Sequence, residues 1–235
     1  CVLLLASGGC GATRAVSTPP ASQSSTSSSR AASARVSEAP REKRSSGSPF
    51  FDRLSDAAVA RTSHQVRYDP TYYVIDYPNG DVPAEVGVCT DEVSRSYRQV
   101  GIDLQREVHE DIKGNFGAYP KLWGLRQPDK NIDHRRVPNL MAFFARKGAG
   151  LAVTDDAKDY LPGDVVTWDL GGGLTHIGLV VGFTAESDPQ RPLIVHNIGA
   201  GPKMEDVLFN WKITGHYRYA GPPQRATPTP APARR

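Results

Sequence analysis

Cysteine is scarce in this chain. Three occur in 235 residues, at positions 1, 10 and 89. Cys89 is the lone cysteine of what reads as the folded part, so it has no disulfide partner there and a structural bridge does not explain it. No Cys-x-x-Cys or His-x-x-x-His spacing occurs, which removes the usual short-range zinc motifs. No apolar run approaches the ~20 residues that cross a bilayer. Gly171-Gly172-Gly173 is not followed by Lys-Ser/Thr, so it is not a phosphate loop. There is no internal repeat. Residues 11–48 contain no aromatic residue but twelve serines. Such a stretch buries too little apolar surface to offset its ordering entropy.

These absences divide the chain. Residues 1–10 read as the remnant of a signal segment, 11–49 as a Ser/Ala/Pro-rich tether, 50–220 as one domain, and 221–235 as a Pro-rich tail. The whole chain carries a net +3, the 11–48 stretch +4 and the tail +3, which leaves −4 for the domain. A globular nucleic-acid binder carries its basic charge on the folded part, so no nucleic-acid partner is expected. A monomer is expected, and no cofactor is implied.

The N-terminal segment Val2-Leu3-Leu4-Leu5-Ala6, then Ser7-Gly8-Gly9 and Cys10, resembles the close of a bacterial lipoprotein signal. That resemblance implies lipidation at Cys10. It is imperfect, because Ser7 stands where leucine is usual. Cys1 is an alternative acceptor, and a cleaved secretory signal without lipid is a third reading. Each implies export to the periplasm or cell envelope, with membrane contact only through the lipid.

Helical spacing runs through Phe50–Thr62, Thr90–Val100, Asp103–Ile112 and Pro138–Lys147. Thr90 is placed to cap the second of these and Gly101 to stop it. Thr71–Tyr77 reads as a strand ending in the turn Pro78-Asn79-Gly80-Asp81. Further strands are read at Asp164–Asp169, Ile177–Phe183, Leu193–Asn197 and His216–Tyr219. Helices first and strands later predict an α+β domain with an antiparallel sheet.

Cys89 at the start of a helix, with His176 and His196 on later strands, has the pattern of a thiol nucleophile, its base and an orienting group. A helix N-terminus and a nearby imidazole both lower a thiol pKa. In a regular strand Asn197 faces away from His196, so only one of them adjoins His176. Asp91, in the first helical turn, opposes thiolate formation. Asp133-His134-Arg135-Arg136 is a dense polar cluster. Its guanidiniums either grip a substrate carboxylate in a bidentate manner or pair with neighbouring acids. The triple-glycine loop is expected to leave His176 accessible. His216, Trp123, Trp168 and Trp211 read as structural.

Leu161-Pro162-Gly163-Asp164-Val165-Val166, followed by His176-Ile177-Gly178 and Ile194-Val195-His196, resembles the bacterial NlpC-type cell-wall peptidases, a papain-like family. The chain is still more similar to the family called domain of unknown function 1287. The matching stretches are Tyr77–Asp81, Gly87–Asp91, Ile132–Leu140, Pro162–Asp164, His196–Gly199 and Gly215–Arg218, and they cover about residues 66–220. The resemblance implies a papain-like fold with Cys89, His176 and His196 as catalytic residues. It also implies a substrate among peptidoglycan stem peptides. Tyr77, Asp91, Asp133, His134, Arg135, Arg136 and Asn197 are the candidate substrate-binding residues. NlpC-type enzymes usually read Asp-Cys-Ser-Gly at the nucleophile, where this chain has Val88-Cys89-Thr90-Asp91. A catalytically inactive binding domain is the first alternative. A zinc site using Cys89, His176, His196 or His134 is the second.

Overall fold

The structure, a computed structural model, describes residues 43–222. Cys1, Cys10, the signal remnant, residues 11–42 of the tether and the tail from 223 lie outside the described residues.

The chain meets the fold before residue 50: the Arg44 N–H donates to Gly182 O at 2.7 Å. Helix α1, Pro49–Arg61, follows, with proline in its first turn. Phe51, Leu54, Ser55 and Ala58 form its buried stripe at helical spacing. Strands β1, Arg67–Tyr68, and β2, Val86–Gly87, pair in parallel.

Between them, Thr71–Tyr77 is not the expected strand. The backbone here finds side-chain partners instead of a ladder. The Ile75 N–H goes to Asn131 Oδ1 (3.1 Å), and Gln105 Nε2 donates to Asp76 O (2.7 Å). The Gly80 N–H goes to Gln105 Oε1 (2.8 Å). At Gly80 a Cβ would lie 1.9 Å from Asp76 O, so only glycine closes this turn.

Three helices follow: α2, Cys89–Gln99; α3, Leu104–Asn115; and α4, Val137–Arg146. Gly101, at φ 88°, stops α2 as the sequence implied. Six strands complete the domain. They are β3 (Gly150–Leu151), β4 (Val165–Asp169), β5 (Thr175–Ala185), β6 (Asp188–His196), β7 (Lys203–Glu205) and β8 (Lys212–Tyr217). They form one antiparallel sheet in the order β3-β8-β4-β5-β6-β7. The described residues are therefore α+β, with four α-helices ahead of the six-stranded sheet.

Period-two alternation sorts the sheet's side chains onto two faces. Val165, Ile177, Leu179, Val181 and Val195 pack with Leu54, Val93, Tyr97 and Phe143 from the helices, and Cys89 belongs to this core. Val166, Trp168, Val180 and Ile194 pack on the other side with Tyr160 and Leu208. The Pro162-Gly163-Asp164 turn pins the sheet. Gly163 sits at φ 85°, and a Cβ there would lie 2.7 Å from Phe51 Cβ. Asp164 is fully buried, 2.8 Å from His216 Nε2 and 2.6 Å from Arg218 Nε.

Candidate active site

The thiol is positioned by the first turn of α2. That helix opens at Cys89, one residue before the expected start, so Thr90 is not its cap. Asp91, the third helical residue, takes the Val88 N–H at 2.7 Å and caps the helix from inside. Thr90 Oγ1 is left buried without a partner. Cys89 is a free, buried cysteine lying near the backbone N–H groups of Ile177 and Thr90. Burial pushes the thiol up to about 12; the Ile177 N–H opposes this, and the Asp91 charge adds to it. The resting group is a neutral thiol.

Asp91 is itself balanced. Arg135 donates to it through Nε (2.8 Å) and Nη2 (3.1 Å), a two-pronged buried ion pair. Arg135 also donates to Thr71 O (2.9 Å) and Asp69 O (3.3 Å). Its guanidinium is thus held inside the protein.

The histidines come together as the order of motifs implied. His176 on β5 and His196 on β6 meet at 2.8 Å, Nε2 to Nδ1. Glycine makes this possible. Extending the Leu179↔Val195 register places Gly178 opposite His196. A Cβ on Gly178 would lie 2.7 Å from Ile194 Cγ2 and 3.1 Å from His196 Cβ. The missing side chain of the His-x-Gly motif is the space into which His196 leans toward His176. Burial pushes His176 down to about 3 and lowers His196 as well. The triple-glycine loop is present, with φ of 90°, 61° and 81°, but His176 is only 2% exposed. The rings of Trp168 and Trp211 lie 5.8 and 6.0 Å from its own and cover it, which corrects the expected accessibility. Asn197 turns the other way. Its Oδ1 takes the Gly199 N–H (3.1 Å), and its Nδ2 approaches Gly87 O (3.5 Å).

No hydrogen bond joins Cys89 to His176 among the described residues. Ile177, next in the chain, packs on the Cys89 side of the sheet, whereas the His176 ring packs with Trp168 and Trp211 on the opposite face.

A groove of about 290 Å³ opens at the thiol. Tyr68, Cys89, Trp123, Arg135, Arg136 and Thr175 are among its lining residues. Arg136 lies 4.3 Å over the Trp123 ring, and its Nη1 is buried with no partner in the protein. The other predicted binding residues are not in this lining. The Tyr77 O–H donates to Glu110 (2.5 Å), and Asp133 lies 2.9 Å from His109 Nδ1. His134 is buried with Nδ1 unpartnered, and burial, then Arg135 and Arg98, push it down to about 3.

One residue was missed. Glu205 on β7 lies 3.0 Å from His196 Nε2. Its stretch, Pro202-Lys203-Met204-Glu205-Asp206, carries no recognisable motif, and only the pairing of β6 with β7 brings it there. No group of three or more His, Cys, Asp or Glu able to hold a metal occurs among the described residues.

The architecture is thus a mixed helix-and-sheet domain with a buried thiol at a helix start and a histidine pair on adjoining strands. The family described as "Domain of unknown function (DUF1287)" matches residues 55–219, and the chain belongs to that family. It is 49% identical over 167 residues to the "Uncharacterized protein YijF" of Escherichia coli (strain K12). That match spans 71% of this chain and 80% of the relative. No solved structure matches it.

Proposed function

We propose that this domain is a papain-like, NlpC-related cysteine hydrolase that cleaves an amide or isopeptide bond in peptidoglycan stem peptides. The observation that carries the reading is the 2.8 Å contact of His176 Nε2 with His196 Nδ1, on a strand whose next residue, Ile177, packs in the same core as Cys89. With Nε2 engaged, Nδ1 is the nitrogen of His176 left for proton transfer, and because the ring packs on the sheet face opposite Cys89, the reading requires the start of β5 to rearrange before thiol and imidazole meet.

The chemistry starts from two neutral groups. His176 Nδ1 takes the Sγ proton as sulfur attacks the carbonyl carbon. The N-terminal amides of α2 face the growing negative charge. Collapse expels the amine, which receives the proton from His176, and leaves a thioester on Cys89. Water, deprotonated by the same ring, then releases the acid. Arg136, unpaired in the groove wall, supplies the cation for a carboxylate of the peptide. Export, with a lipid at Cys10, would bring the domain to this substrate.

The test is to incubate the purified protein with peptidoglycan and follow released fragments by mass spectrometry. Wild type is expected to release fragments that Cys89→Ala and His176→Ala do not. Equal release by Cys89→Ala would overturn the thiol mechanism. The high thiol pKa and the missing thiol–imidazole bond favour a second reading, an inactive papain-like domain that binds the cell wall. Binding without turnover that survives both substitutions would support it.

A further inference from the structure

The histidine pair has a third member. Glu205 Oε2 lies 3.0 Å from His196 Nε2, and His196 Nδ1 lies 2.8 Å from His176 Nε2. His196 is 1% exposed, whereas the Glu205 side chain is 40% exposed on the edge strand β7. We infer that Glu205 is a positioning residue that sets the tautomer of both histidines and so leaves His176 Nδ1 as a bare proton acceptor.

The argument is one of donors and acceptors. A carboxylate only accepts, so the Glu205 contact places a proton on His196 Nε2. A neutral imidazole carries one N–H, and burial disfavours the charged form of both rings. His196 Nδ1 is therefore a lone pair. The 2.8 Å contact then requires His176 Nε2 to donate, which strips His176 Nδ1 of its proton. Without the carboxylate the chain can run backwards, with His196 Nδ1 donating to His176 Nε2. That direction protonates His176 Nδ1 and removes the base. Glu205 is held in place by the backbone pairing of Ile194 with Glu205 and His196 with Lys203. When His176 becomes charged during turnover, the same carboxylate backs the pair electrostatically.

The mechanistic part of this inference rests on the hydrolase reading, but the tautomers are measurable without activity. In resting protein with ¹⁵N-labelled histidine, long-range ¹⁵N–¹H correlation spectra identify which nitrogen of each ring is protonated. Wild type is expected to show Nε2–H on both His176 and His196. Glu205→Gln, whose amide can either donate or accept, is expected to add the Nδ1–H form of His176. In turnover, Glu205→Gln should lower kcat by about 10- to 100-fold, the range for partners that orient histidines, with KM unchanged. Wild-type His176 carrying Nδ1–H would overturn the inference. So would unaltered tautomers in Glu205→Gln, with or without a loss of rate. The expected tautomers in a protein that does not cleave peptidoglycan would support the role of Glu205 and overturn the hydrolase reading instead.

Discussion

Removing the Asp91 carboxylate separates structure from substrate binding. Asp91 and Arg135 are buried, with side-chain exposures of 2% and 3%, and are joined by two hydrogen bonds. Asp91→Ala strands the Arg135 guanidinium in the interior, a loss of about 3–5 kcal/mol for a buried pair broken from one side. It also releases the Val88 N–H at the start of α2, roughly a further 1 kcal/mol for a lost helix cap. Domains of ordinary stability hold only about 5–15 kcal/mol, so roughly a quarter or more is lost. Urea unfolding at neutral pH, followed by tryptophan fluorescence, reads the change directly. Adding Arg135→Met should restore part of the loss, since the double substitution no longer buries a lone charge. The coupling expected between contacting residues is about 0.5–3 kcal/mol. If Asp91→Ala unfolds within about 1 kcal/mol of wild type, an ordinary mutational loss, the ion pair is not holding the site together. If the substitutions instead raise KM alone, Arg135 is a substrate ligand and the argument fails.

Three further outcomes follow from the same geometry. Gly178→Ala forces a methyl against Ile194 and the Cβ of His196, and overpacking of this kind costs about 1–3 kcal/mol; an unchanged melting temperature would refute the close packing of β5 on β6. His176 and His134 are both held near 3 in the folded protein, against 6.5 for the free group. The unfolded chain therefore binds the extra protons, and stability falls as pH drops from 6.5 toward 3, by up to roughly 4–5 kcal/mol per histidine. Urea midpoints that stay flat across that window would refute the buried neutral rings, and His134→Gln should remove its share of the slope. With its thiol pushed up to about 12, Cys89 should alkylate slowly with iodoacetamide at neutral pH and rapidly once unfolded. Fast alkylation of the folded protein would mean a preformed thiolate.

Much of the fold was legible because periodicity reports burial on one face. Phe51, Leu54 and Ala58 marked α1, Val93 and Tyr97 marked α2, and all five are buried. The histidine pair was legible through motif order. What escaped was partnership across the chain. Nothing local to Thr71–Tyr77 reveals that Asn131 and Gln105 take its hydrogen bonds in place of a neighbouring strand. Nothing local to Arg135 reveals Asp91, 44 residues away, so two adjacent arginines read as equivalent although one is paired and the other faces the groove with an unpartnered nitrogen. Glu205 was invisible for the same reason: its role comes from strand pairing, which the spacing of its own neighbours does not encode.

The hairpin of β5 and β6 keeps its two ends independent. Pairing is regular from Leu179↔Val195 to Val180↔Ile194, then shifts before Thr184↔Pro192 and again before Ala185↔Asp188. Each shift absorbs an offset in residue number, as a bulge does. The tip around Glu186 and Ser187 can therefore change in length while the registration near the histidines stays fixed. His176 and His196 lie twenty positions apart, yet their spacing in the folded protein is insulated from most of the chain between them. The base of this hairpin is therefore where a change in length would break the site.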